Sequence, residues 1–139
     1  MASLLKVDAL TGVTTAGSIS VTGEGNSTTT NLQQGLAKAW VHFTGVTTTA
    51  ARDSFNISSL TDTDTGDTTV NITNAFSNDD YGCVMFTNAN SGTGAGAFGN
   101  HYTGGLFSRT TSSVAHTAHN GTNPTDSGLN DIVFHGDLA

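Results

Sequence analysis

Basic residues are scarce. Two lysines (Lys6, Lys38) and two arginines (Arg52, Arg109) stand against eleven acidic residues in 139, a net charge of −7. No basic patch can be assembled from four such groups, which argues against nucleic-acid binding by phosphate neutralisation and against attraction to anionic membranes. The single cysteine, Cys83, excludes an intrachain disulfide and a cysteine-rich zinc site. Glu24 is the only glutamate and Pro124 the only proline. The apolar runs are a few residues long, too short for a membrane-spanning helix. The opening Met1-Ala-Ser-Leu-Leu-Lys6 lacks the basic start and the apolar stretch of about 7–15 residues that mark a signal peptide, so synthesis in a reducing cytoplasm is expected. The N-x-S/T matches at Asn26, Asn56, Asn71 and Asn120 then read as incidental to a Ser/Thr-rich chain.

What the chain does have is threonine (25), glycine (17), serine (13) and asparagine (12), together nearly half of it. A charged fraction of 11% is too low for a typical disordered chain. Many Thr and Gly at low charge instead fit short β-strands joined by many turns. Leu, Ile, Val and Phe make up about a fifth of the residues. That is a thin inventory for a monomer of this size, so extra burial by self-association is expected.

The pattern predicts a mainly β chain in three parts. Residues 1–30 read as an extended N-terminal attachment arm, with short alternating strands at Leu5-Lys6-Val7 and Ser18–Thr22 separated by turn clusters. Its anchors are Leu5, Val7, Ile19 and Val21. Residues 31–40 read as a short helix, capped near Thr30 or Asn31, with Leu32, Leu36 and Trp40 on one stripe and the small Gly35 and Ala39 beside it. So short a helix needs a partner. That partner is either the chain's own β-body or two further copies of the helix, and the Gly-rich arm before it favours the copies. Leu32, Gly35, Leu36, Ala39 and Trp40 are therefore the expected trimer interface.

Residues 41–139 alternate repeatedly, at Trp40–Phe43, Phe55–Ile57, Thr69–Thr73, Tyr81–Phe86, Leu106–Arg109, Ser113–Ala115 and Asp131–Phe134. Six or seven such strands predict an antiparallel β-sandwich, jelly-roll-like. Thr61–Asp67, with Gly66, is the clearest hairpin turn. Asn88–Asn100 and Asn120–Gly128 read as loops suited to an exposed end.

Groups able to carry chemistry are few. Asp62-x-Asp64-x-x-Asp67 resembles half a calcium loop, but loop position 6 holds Asp67 instead of Gly and position 12 holds Thr73 instead of Glu. A polar hairpin turn is the simpler reading. His116 and His119 point to opposite sides of a strand, while His42, His101 and His135 are isolated, so no metal site is expected. There is no G-x-S-x-G elbow, phosphate loop, dinucleotide fingerprint or H-E-x-x-H, so neither catalytic residues nor a cofactor is expected. Cys83, in an apolar strand, reads as buried and inert.

The succession Asn31–Gly45, Arg52–Leu60 and Thr65–Ala75, preceded by Leu4–Leu10 and Thr14–Thr22, resembles a module of bacteriophage virion proteins of the tail-fibre-like type seen in marine and cyanobacterial phages. The similarity covers residues 1 to about 90, and Val133–Asp137 is similar to that family's ending. The resemblance implies a non-enzymatic, homotrimeric virion protein. As a tail fibre or tail appendage it would dock on a tail hub. As a capsid decoration or head fibre it would dock on the major capsid protein. A host surface glycan or receptor would be the outward partner, with no role for nucleic acid or membrane.

Overall fold

A computed structural model of the chain describes residues 4–13, 19–22, 29–88, 102–120 and 123–139. The expected turns at Ala16-Gly17 and Gly23–Asn26, the loop after Asn88 and His101 lie outside the described residues. The chain divides into two compact units, residues 1–36 and 37–139.

In the first unit, residues 4–13 form no regular structure, so the strand expected at Leu5–Val7 is absent among them. β1 (Ser20–Thr22) pairs antiparallel with β2 (Thr29–Asn31), and a single helical turn, α1 (Leu32–Gly35), follows, with the Leu32 N–H donating to the Ile19 carbonyl. The helix expected to run to Trp40 is thus corrected to four residues. Its last predicted residues belong to β3 (Ala39–Thr44), where Ala39, Val41 and Phe43 alternate with Trp40 and His42. Period-two burial against a sheet outweighs one more helical turn of marginal stability.

The second unit is mainly β, and its strands pair antiparallel in a two-sheet, sandwich-like body. After β3 come β4 (Ala50–Phe55), β5 (Ile57–Asp64), β6 (Asp67–Ile72), β7 (Gly82–Asn88), β8 (Tyr102–Arg109), β9 (Ser113–Asn120), β10 (Asn123–Pro124) and β11 (Leu129–His135). One sheet has the order β4-β3-β11-β7. In the other, β5-β6-β9 continues to β8 on the far edge of β9. β10 lies past the end of β6, since β6 pairs with Ser113–Thr117 and β10 with His119 and Asn120. The inward side chains Ala39, Val41, Phe43, Val70, Ile72, Val114, Ile132 and Phe134 form the core, closed at one end by Phe76 and Tyr81. The Phe76 and Tyr81 rings stack at 4.2 Å. The Tyr81 hydroxyl donates to the Thr110 carbonyl at 2.9 Å, and burial pushes its pKa up to about 12.

Asn56 and Gly66 are two of the places where the chain changes direction. Asn56, at φ 59°, is the corner where β4 in one sheet gives way to β5 in the other. Asparagine tolerates this left-handed conformation, and here its side chain also bonds outward. Its Nδ2 donates to the Lys38 carbonyl (3.0 Å), and its Oδ1 accepts from the Asn74 N–H (2.8 Å). Gly66, at φ 77°, makes the two-residue β5–β6 hairpin, as the turn residues required. Its N–H donates to Asp126 Oδ1 (2.7 Å) and its carbonyl accepts from the Ala118 N–H (2.8 Å).

A Cβ at Gly66 would lie 2.6 Å from the Ala118 carbonyl oxygen and 2.7 Å from the Thr125 nitrogen, both of them backbone atoms. Gly66→Ala is therefore expected to cost about 1–3 kcal/mol, from left-handed strain plus displacement of the 125–126 backbone. The measurement is the urea unfolding midpoint, and an unchanged midpoint would show that the turn is not clamped as described.

Candidate functional site

Each sheet of the body has an inner and an outer face, and alternation assigns side chains between them. On the four-stranded sheet the inner residues are Ala39, Val41 and Phe43 of β3 and Asn130, Ile132 and Phe134 of β11. On β7, Cys83 and Met85 pack against the core and Thr87 is buried. The residues between them face outward. Register then lines up Val84, Val133, Trp40 and Phe55 in one row across all four strands, β7 to β4. The next row is Phe86, Asp131, His42 and Asp53. Val84 is 68% exposed, Phe86 58% and Phe55 55%. Within the second row His42 Nδ1 and Asp131 Oδ1 are 2.6 Å apart, a cross-strand hydrogen bond beside the apolar row. Large apolar side chains concentrated on one solvent-facing sheet surface mark an interaction site more readily than scattered ones do.

The inner face holds a second feature. His116, on β9, is only 1% exposed and packs edge-on against Phe43 at 5.5 Å. The Thr87 hydroxyl donates to Asn130 Oδ1 (2.9 Å), which commits its only proton. His116 Nε2, 3.1 Å from the same oxygen, must therefore carry the hydrogen and donate. Asn130 Nδ2 donates to the Ser127 carbonyl (3.1 Å), and the Ser127 hydroxyl donates to the Asn88 carbonyl (2.6 Å). This polar chain ties β9 to β7 and β11 across the core and ends on Asn88, the last residue of β7. His116 Nδ1 and Asp67 Oδ1 are buried without a hydrogen-bond partner. Burial drives the His116 pKa down to about 4, with the Asp67 carboxylate opposing the shift. The imidazole is thus neutral, with its proton on Nε2.

The helix expected to carry the trimer interface ends at Gly35, before Leu36, Ala39 and Trp40. Leu32, Gly35 and Leu36 lie in the first unit, where Leu36 is exposed. Ala39 is fully buried in the core of the body and cannot face another chain. Trp40 points the other way, into the outer-face row. The arm residues Leu5, Val7 and Val21 are exposed and Ile19 is half-buried. Asp62 and Asp64 are exposed at the hairpin, where Asp64 Oδ1 accepts from the Thr65 N–H (2.7 Å). His116 and His119 do lie on opposite faces of β9, and His119 Nε2 is 3.0 Å from the Thr117 hydroxyl. Among the described residues no group of three His, Cys, Asp or Glu side chains could hold a metal ion. Burial pushes the Cys83 thiol up to about 11, leaving it un-ionised near neutral pH and a poor nucleophile.

Neither the row nor the polar chain is marked by local sequence spacing. The available signal was alternation: Thr87 and Asn130 occupy inward positions of strands whose other inward residues are apolar. Compared with known protein families, curated proteins and solved structures, the chain matches none.

The neutral state of His116 has a consequence for stability. The unfolded chain takes up the imidazole proton near pH 6.5, whereas the fold resists it down to about pH 4. Between these values the unfolded state holds more protons, so stability falls as pH drops from about 6.5 to about 4. The loss is about 3 kcal/mol once both states are charged. Denaturant midpoints measured across this range should fall in the native protein. They should fall less steeply in His116→Gln, which keeps a donor for Thr87 but does not titrate. Equal slopes in the two proteins would exclude His116 as the cause.

Proposed function

We propose that the chain is a non-enzymatic structural protein of a bacteriophage virion, a homotrimer that forms a tail fibre or tail appendage. It is made in the host cytoplasm and carried on the particle. The observation that carries this reading is the unequal construction of the two units. The body buries its own core between two sheets. The first unit leaves Leu4, Leu5, Val7, Leu10, Val13 and Val21 exposed, with Val13 at 90%. Apolar residues on a segment with so little regular structure gain order by lying against another surface. Docking on a tail hub supplies that surface, and the body is then the displayed part. An outward partner such as a host glycan or receptor would meet the body. The jelly-roll reading draws support from strand order: β3 and β11 lie side by side in mid-sheet, while the chain between them passes back and forth between sheets. The thin apolar inventory supports self-association. The resemblance of residues 1 to about 90 to tail-fibre-like virion proteins points the same way.

Three measurements test this. Light scattering of the full chain should give three times 14.2 kDa, and a stable monomer would remove the trimer. A chain beginning at Ala37 should melt cooperatively yet fail to join virions, whereas normal incorporation would show that residues 1–36 are not the anchor. Gel densitometry against the major capsid protein then separates the tail from the shell. A small copy number in multiples of the tail symmetry fits a tail appendage, and hundreds of copies would make the protein a capsid decoration or head fibre.

A further inference from the structure

We infer that residues 123–128 form a strap over one end of the sandwich, and that this strap opens as a unit, with both sheets intact, when His116 takes up a proton. The device sits within one chain and does not depend on how copies assemble.

The strap covers a layer unlike the rest of the core. Register places Val41, Ile132 and Met85 in one inward row and Val70 and Val114 in the row facing it. One step toward the strap, the inward residues become Phe43, Asn130 and Thr87 on one sheet and Thr68 and His116 on the other. Four of these are polar, and all are buried. The opposite end is sealed by the stacked rings of Phe76 and Tyr81. The strap reads Asn-Pro-Thr-Asp-Ser-Gly, and none of its side chains belongs to the apolar core.

Hydrogen bonds hold it instead. The Thr125 N–H donates to the Ala118 carbonyl (2.9 Å), and Asp126 Oδ1 accepts from the Gly66 N–H (2.7 Å). The Ser127 carbonyl accepts from the Gly45 N–H (2.8 Å) and from Asn130 Nδ2 (3.1 Å). The Gly128 carbonyl accepts from the Arg52 guanidinium at 3.3 Å. A segment held by such bonds, with no apolar side chain to withdraw from the core, opens at lower cost than the sheets it covers.

His116 couples the strap to protons. On β9 the next inward residue toward the strap is Ala118, whose carbonyl holds Thr125 and whose N–H is held by Gly66. Phe43, Thr68, Thr87, Leu106 and Asn130 face the ring from β3, β6, β7, β8 and β11, and none of them titrates. Asp67 is the one charged group acting on it. A second proton goes to Nδ1, which has no acceptor, and leaves a cation cut off from water. Opening the strap hydrates the ring. The open form therefore takes up the proton near pH 6.5 and the closed form only near 4, so the opening constant rises as pH falls between them, by about 300-fold for a fully hydrated ring.

Amide exchange in the full chain, followed residue by residue by NMR, is the test. The Gly45, Gly66 and Thr125 N–H groups report the strap, while Lys38 and Phe76, bonded to the Phe134 and Thr111 carbonyls, report the opposite end. The strap amides should exchange faster than Lys38 and Phe76, with little dependence on added urea. Their protection should fall between ~10-fold and ~300-fold from pH 6.5 to 4, and less than ~2-fold in His116→Gln. Asp126→Asn keeps an acceptor for the Gly66 N–H and should leave that fall in place. Strap amides that match Lys38 and Phe76 in rate and in steep urea dependence would overturn the inference, because this end would then open only with the whole fold. A fall that persists in His116→Gln, or one that vanishes in Asp126→Asn, would also overturn it by assigning the proton elsewhere. As a further variant, Ser127→Ala removes the hydroxyl bonds to the Asn88 and Leu129 carbonyls without changing any titrating group. It should speed strap exchange at every pH and leave Lys38 and Phe76 unchanged, whereas unchanged strap exchange would count against a strap held by polar bonds.

Discussion

Strict two-residue alternation is the constraint on which the body depends. β3 and β11, paired from Ala39–Phe134 to Phe43–Asn130, bury every second side chain fully and leave the others half-buried on the outer face. A slip of one residue in this pair would send Trp40, His42, Asp131 and Val133 into the core and push Phe43, Ile132 and Phe134 out. The register that makes the core thus also makes the outer surface. The apolar row across the four-stranded sheet exists because the same pairing that hides Ile132 displays Val133.

Polar groups carry part of the load where apolar residues are few. His116, Thr87, Asn130 and Ser127 occupy positions that a richer sequence would fill with Leu or Ile. Their hydrogen bonds run from the centre of one sheet through the other to Asn88. A buried chain of this kind contributes only if its members are paired, and the orphaned His116 Nδ1 marks where it is incomplete. The body is therefore held by directional contacts as well as by packing.

How far the sequence could be read follows from how local each cause is. The β5–β6 hairpin was legible because Gly66 and its polar flanks are neighbours in the chain. Most strands were legible from alternation, but the one expected at Phe55–Ile57 is split at the Asn56 corner, with Phe55 ending β4 and Ile57 opening β5 in the other sheet. β4 was not, since Ala50-Ala51-Arg52-Asp53-Ser54 has no apolar rhythm and owes its extension to pairing with β3. The helix was overextended because Leu32, Leu36 and Trp40 satisfy a helical spacing that the alternation from Ala39 onward contradicts. Val84, Val133, Trp40 and Phe55 come from four strands, and the partners of His116 from two other strands and a loop. No spacing along the chain could align either set before the register was known.

The position of β11 affects how the protein comes into being. It is the ninth strand of the body in order, yet it sits in mid-sheet, where His42 waits for Asp131 across 89 residues. At ribosomal speeds that gap is roughly 5–20 seconds. Until it passes, β3 and β7 have no strand between them, and the four-stranded sheet does not exist. A chain cut short before residue 129 would lack the middle of that sheet and, with it, the surface formed across it. The outer face of that sheet is therefore complete only in chains whose synthesis has run past β11.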